Sequence, residues 1–321
     1  MNKRGAWILN TKTAVVQKPK RKKIKKNELE LYSLCLIPLL SLFIFNYIPM
    51  FGIIIAFKDY RYNLGILGSK WVGFNNFKFF FESDTFTTIL WNTLFMNLIF
   101  IVVGIIASVL VAILLFEIRS RNATKVYQTM LITPNFLSWV IVSYMVYAFL
   151  NPQYGLVNGL LKLMGREAID WYATPGAWPV ILTIASVWKH VGMDSVVYYA
   201  ALMGLDTSLF EAAEVDGANK VQVTMKIVIP MLIPLISVLT ILKIGNIFRA
   251  DFGLFYQVTR NVGLLYSKTD VIDTYIFRTM RVVGDMGMGS AVGLEQSLVG
   301  FILVIATNAA AKKIDPDTAL F

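Results

Sequence analysis

From Thr85 to Phe116 the chain carries no charged side chain, and the same holds from Leu31 to Phe57 and from Val126 to Leu150. About 20 apolar residues suffice to cross a bilayer as a helix. Inside hydrocarbon every backbone N–H and C=O needs a partner within the protein, and for uninterrupted runs of this length the helix is the fold that provides one. Three more stretches, near Ala177 to Leu205, Ile227 to Phe248 and Gly289 to Ala311, are long enough but hold charges. The first contains Lys189, His190 and Asp194, the second Lys243 and the third Glu295. The sequence therefore predicts an all-α polytopic membrane protein with six transmembrane helices over residues 31–311. Composition agrees: 56% hydrophobic and 16% charged residues, against ~45–50% and ~25% in soluble domains.

The net charge of +10 is concentrated at one end, since ten of the 30 Lys and Arg residues precede residue 27. That tail, residues 1–30, abuts the first span. Dense basic flanks stay cytoplasmic, so the N-terminus is expected inside, and six crossings return the C-terminal tail, 312–321, to the same side. Such a tail suits an anionic membrane face, not nucleic acid. The first apolar run is too long for a cleavable signal peptide and lacks a small-residue cleavage pattern. With one cysteine, Cys35, and one histidine, His190, the chain can build neither an intrachain disulfide nor a Cys/His metal centre, and no cofactor or metal is expected.

The inner link after the fourth span has a different character. Ser208 and Glu211 stand at the spacing of a capping box, which starts a helix, and Gly217 supplies the left-handed residue that stops one. The spacing predicts a cytoplasmic helix of about two turns over 208–217, too short to be stable alone. Ala212 and Ala213 leave a low surface for another backbone, and Glu211 offers a charge to a cation across an interface. Asn219 with Gln222 is placed to cap a further helix entering the fifth span, where Pro230 and Pro234 would kink or delay it.

Glu211-Ala212-Ala213, then Asp216-Gly217-Ala218, then Ile229-Pro230 and Pro234 resemble the EAA loop of binding-protein-dependent ABC importer permeases. The aromatic residue common between that family's glycine and first proline is absent here, where Val223, Thr224 and Met225 stand. Further stretches extend the resemblance to the carbohydrate branch, nearest the permeases for polysaccharide or rhamnogalacturonan oligosaccharides: Tyr47 to Gly52, Ala56 to Tyr60, Trp71 to Phe77, Asn92-Thr93 and Val271 to Tyr275. The resemblance implies the type I ABC importer permease fold. It also implies a non-enzymatic subunit in a bacterial plasma membrane that pairs with a second permease, likewise of this type, in a heterodimer. Two separate ATPase subunits would dock on Ser208, Glu211, Ala212, Ala213, Asp216 and Gly217, and an extracytoplasmic solute-binding protein would deliver a sugar or oligosaccharide. The chain contains no G-x-x-x-x-G-K-[ST], so it has no P-loop of its own.

Charges inside spans cost about 2.5–3.5 kcal/mol each at the bilayer centre, and they are retained where they face protein or an aqueous path. Lys189, His190, Asp194, Lys243 and Asn246 are accordingly the substrate-path candidates. His190 and Asp194 are four residues apart, and Lys243 and Asn246 three, so each pair shares a helix face. The competing reading is a secondary transporter driven by an ion gradient, with His190, Asp194 and Lys243 as relays; an ABC permease for a non-sugar solute is another. Outer aromatic residues, among them Trp71, Phe74, Trp171 and Tyr172, are expected mainly in the interfacial belt.

Overall fold

The computed structural model describes residues 26–83, 85–206 and 208–314. The basic tail before Lys26 and the C-terminal residues beyond Ile314 lie outside them. Two compact units divide after Phe51.

In the first unit, helix α1 (Lys26–Leu42) contains Pro38 and runs into a π-helical turn at Phe43–Tyr47. Pro49 follows that turn immediately. Proline has no N–H to give the carbonyl four residues back, and a wider i→i+5 turn is one way to rearrange the bonds around that defect. The same device recurs in the second unit, where the π-helical turn Thr224–Val228 comes just before Pro230. Neither proline stops the helix, so the fifth span runs from Lys220 to Gly245 through Pro230 and Pro234.

In the second unit a two-residue antiparallel ladder pairs Lys58 with Trp71 and Asp59 with Lys70. Asn76 Nδ2 donates to the carbonyls of Ala56 (2.8 Å) and Lys58 (3.0 Å), and Phe57 stacks on Trp71. Two of the stretches singled out in the sequence thus form one knot.

The long helices are α2 (Thr85–Phe116), α5 (Trp178–Met203), α7 (Ile229–Gly245) and α9 (Met286–Ile314). α2 lies along α5. One apolar cluster, with Met96, Leu182, Trp178 and Phe255, closes one end of this pair. A second, with Ala112, Tyr198, Leu202 and Leu232, closes the other end. Both are built from residues that recur every three or four positions on α2 and α5, as a helix face requires.

The expected third span, Val126 to Leu150, is not one straight helix. α3 (Arg121–Ile132) and α4 (Trp139–Leu150) are separated by a short 3₁₀ turn, Thr133–Phe136, and bent 99° from each other. Pro134 sits in that turn, and Ser138 caps α4 by accepting from Ile141 N. Five described helices are long and apolar enough to cross a membrane, or six if the bent pair is one span.

α3 crosses α5 where Gly192 faces Leu131. A side chain at 192 would overlap the Leu131 carbonyl. Gly192→Ala should therefore push α5 off α3 at a cost of about 1–3 kcal/mol. Gly300→Ala, where nothing lies within 4 Å, should leave stability unchanged. Thermal unfolding of the detergent-purified protein separates the two, and equal melting temperatures would refute the close crossing.

Candidate functional site

Between the two apolar clusters α2, α5 and α7 separate around a cavity of about 500 Å³. Its position follows from the sequence order. On α5 the first cluster ends at Ala185 and the second begins at Tyr198, leaving His190 and Asp194 between them. On α7 the second cluster holds Leu232, and Lys243 and Asn246 stand about three to four turns further on. The polar residues therefore sit midway along α5 and at the C-terminal end of α7.

Lys243 Nζ donates to Asp194 Oδ2 at 2.6 Å, joining α7 to α5. Each side chain keeps about a third of its surface open (36% and 34%), so the pair faces water rather than a dry core. Asp194 thus binds across the cavity and not to His190 on its own helix. His190 Nδ1 donates instead to Ser186 O at 2.9 Å, since a carbonyl can only accept. Asn246 Nδ2 donates to Leu242 O at 3.1 Å.

Lys189 is placed elsewhere. It is 6% exposed, points away from this cavity, and donates to the carbonyls of Leu137 (2.6 Å), Asn135 (2.7 Å) and Pro134 (3.4 Å). These are the groups freed where the helix breaks between α3 and α4. A helix end in hydrocarbon leaves carbonyls without partners, and the ammonium, with three donors and no acceptor, supplies them. Its charge also lies over the Trp139 ring, 5.3 Å from the centroid. Trp139 in turn donates to Asp251 Oδ2 at 2.7 Å and packs against Gly253.

Two cavity residues escaped the sequence reading. Arg249 lines the cavity, is exposed, and has no side-chain hydrogen bond or ion pair among the described residues. It continues the three-residue spacing of Lys243 and Asn246 just beyond Gly245, the end of α7. Asn97 interrupts an otherwise apolar run and donates to Ile247 O (2.7 Å) and Arg249 O (3.3 Å), which fixes the backbone that carries Arg249. Close by, burial pushes the Asp273 carboxyl up, opposed by hydrogen bonds from Ala250 N (2.8 Å) and Gln296 Nε2 (3.1 Å) and by the Arg249 charge.

Asp273 belongs to helix α8 (Ile272–Arg278), which joins two sequence patterns in one contact. Asn92 donates to Asp270 O (3.1 Å) and Thr93 accepts from Ile272 N (3.0 Å). Arg278 forks onto Asp270 at 3.1 and 2.5 Å. The segment between α4 and α5 likewise has its own structure: Asn158 donates to Ile169 O (2.9 Å) and accepts from Ile169 N and Trp171 Nε1 (both 3.1 Å). Trp171 and Tyr172 are consequently packed in this segment, while Trp71 and Phe74 remain exposed.

At the other end, α6 (Ser208–Val215) is the expected short helix. Ser208 is its first residue rather than its cap. Its N–H donates to Asp206 Oδ1 at 2.9 Å and holds that carboxyl below the usual range. Gly217, at φ +75°, ends the helix. Ala218 N bonds Ala213 O at 2.9 Å and Gly217 N bonds Glu214 O at 3.0 Å, the paired bonds of a Schellman motif. Asn219 and Gln222 form the expected capping box. Glu211, Ala212, Asp216 and Gly217 are exposed, Ala213 is half-buried, and the apolar Leu209 and Val215 are exposed with them. Lys220 pairs with Glu117, so the link after α2 lies on the same face as α6.

Residues 104–318 match the family model described as binding-protein-dependent transport system inner membrane component. The chain belongs to that family. It is 34% identical to Protein LplB of Bacillus subtilis over 292 residues, 91% of each chain. It is also 34% identical over 302 residues to the polygalacturonan/rhamnogalacturonan transport system permease protein YteP of the same organism, covering 93% of this chain and 94% of that one. A crystal structure of a bacterial ABC transporter that imports the acidic polysaccharide alginate contains a chain with TM-score 0.81 and 31% identity, matched over 90% of this chain and 97% of that one. A second structure of an alginate transporter, with an alginate pentasaccharide-bound periplasmic protein, gives TM-score 0.80. The chain is thus a multi-pass ABC permease subunit of the type I importer fold in a bacterial plasma membrane, a transport component and not an enzyme. This decides against the ion-gradient alternative.

Because Lys189 closes the backbone break, Lys189→Met should strand the Asn135 and Leu137 carbonyls, Pro134 O keeping its bond from Leu137 N (3.1 Å), and cost about 2 kcal/mol or more. His190→Gln, which removes a bond within one helix and a ring contact with Trp139, should lower the melting temperature far less. A stable Lys189→Met protein would show that water or another group serves those carbonyls.

Proposed function

We propose that this chain is one permease of an ATP-driven importer for acidic oligosaccharides, with the cavity on α2, α5 and α7 as part of the path and α6 as the ATPase-docking helix. The observation that carries this reading is the charge inside the cavity. Asp194 is neutralised by Lys243, while the Arg249 guanidinium forms no ion pair and has only the more distant charge of the buried Asp273 carboxyl near it. A planar guanidinium matches a carboxylate in two parallel hydrogen bonds, which suits a uronate and gives no such advantage to a neutral sugar. His190 and Asn246 add polar groups for hydroxyls. The names of YteP and of the alginate importer refer to acidic polysaccharides, in keeping with a net positive path.

Energy enters through α6. Ser208, Glu211, Ala212, Ala213, Asp216 and Gly217 form the surface on which one of two ATPase subunits sits, and exposed Leu209 and Val215 are apolar groups that such a subunit would cover. The Schellman turn leads directly into the capped helix of the fifth span, so displacement of α6 reaches Lys243 and Asn246 along one element. A second permease completes the pathway as a heterodimer, a solute-binding protein delivers the cargo outside, and both chain ends lie in the cytoplasm.

Two experiments test the two halves of this reading. In proteoliposomes with the delivering protein, Arg249→Gln should raise half-saturation for a uronate oligosaccharide about tenfold, as expected for loss of one charged hydrogen-bond partner, and leave a neutral oligosaccharide of equal length unaffected. Equal effects on both would remove charge from the specificity. Gly217→Pro, which cannot adopt φ +75°, and Glu211→Ala should insert normally, lose ATPase association and abolish uptake. Normal uptake by these variants would separate α6 from the motor.

A further inference from the structure

The inner end of α2 and the face of α3 form a second concavity, remote from the translocation cavity. Val111 and Leu114 lie along one side of α2, Ile118 follows two residues past its end, and Tyr127 and Met130 lie along one side of α3. Together they line a groove of about 430 Å³. These walls are open: Leu114 is 58% and Met130 66% exposed. From Val111 to Phe116 the helix rises about 7.5 Å and Ile118 extends the wall beyond it, enough for the upper part of an acyl chain. α2 is a span to Phe116, so the groove lies in hydrocarbon and its Ile118 end reaches the headgroup level.

The cations begin at that end. Arg119 follows Ile118 directly, Arg121 opens α3, and Lys125 is one turn on; all three are exposed. The nearby acid, Glu117, is taken by Lys220. Among the described residues none of the three has an acidic partner. An apolar groove at membrane depth that ends in unpaired positive charge at the interface is complementary to an amphiphile with an anionic head.

We propose that this groove holds one anionic phospholipid, with its acyl chain against Leu114, Tyr127 and Met130 and its phosphate beside Arg119 and Arg121. Zwitterionic lipid fills the groove less well, because its ammonium meets the same cations. The lipid then acts as a wedge between α2 and α3 on the face that carries α6.

The test uses the assembled importer, reconstituted in equimolar phosphatidylglycerol and phosphatidylethanolamine and re-extracted in mild detergent, with retained lipid counted by native mass spectrometry. The wild type should keep one phosphatidylglycerol in preference to phosphatidylethanolamine. Arg119→Gln with Arg121→Gln should lower that preference by about fivefold per charge removed while leaving phosphatidylethanolamine retention unchanged. Met130→Trp, which fills the groove and keeps the charges, should reduce retention of both lipids. Arg281→Gln, exposed in the turn before α9, should change nothing. Equal retention of the two lipids by the wild type, undiminished preference in the double variant, or crosslinking from a photoreactive residue at position 127 to the second permease instead of lipid would each overturn the assignment.

Discussion

The bond set that the rest of the molecule depends on is the Lys189 ammonium with the carbonyls of Pro134, Asn135 and Leu137. A chain that turns through 99° inside a membrane leaves main-chain acceptors that water cannot serve, and the turn is tenable only if the protein provides donors. Lys189 provides them from α5, the helix that also carries Asp194. One residue face of α5 therefore holds the broken helix in place and the next presents the ion pair to the cavity. The desolvation cost of a buried ammonium is offset by carbonyl dipoles and the Trp139 ring.

Much of this architecture was legible in the sequence because it rests on local rules. Uncharged runs gave the spans, Gly217 gave the helix stop, and Asn219 with Gln222 gave the next start. The site was legible in outline for a similar reason: a charge in an apolar run must face something polar, and His190, Asp194, Lys243 and Asn246 do share one cavity. Partnership was not legible, because it depends on which helices meet. Asp194 pairs with a residue 49 positions away rather than with its helical neighbour. Lys189, next to His190, faces a different helix altogether, since adjacent residues on a helix point about 100° apart. Arg249 lies past the apolar stretch that drew attention to Lys243, beyond a helix end that hydropathy does not locate.

The break at 133–138 shows the limit of composition in another way. Val126 to Leu150 has the length and apolarity of a span, and Pro134 alone would permit a kinked helix. What makes the stretch two helices is Ser138, whose side chain offers a fresh N-terminus, together with a cation from elsewhere to satisfy the end that precedes it. The first signal is local and the second is tertiary.

The Glu117 to Lys220 contact ties the segment after α2 to the entrance of the fifth span, and both side chains are substantially open to solvent. Open ion pairs are weak and weaken further with added salt. This strap between two connectors is therefore compliant: it ties them at low ionic strength and loosens as salt screens it, whereas the buried apolar contacts between the helices are indifferent to salt.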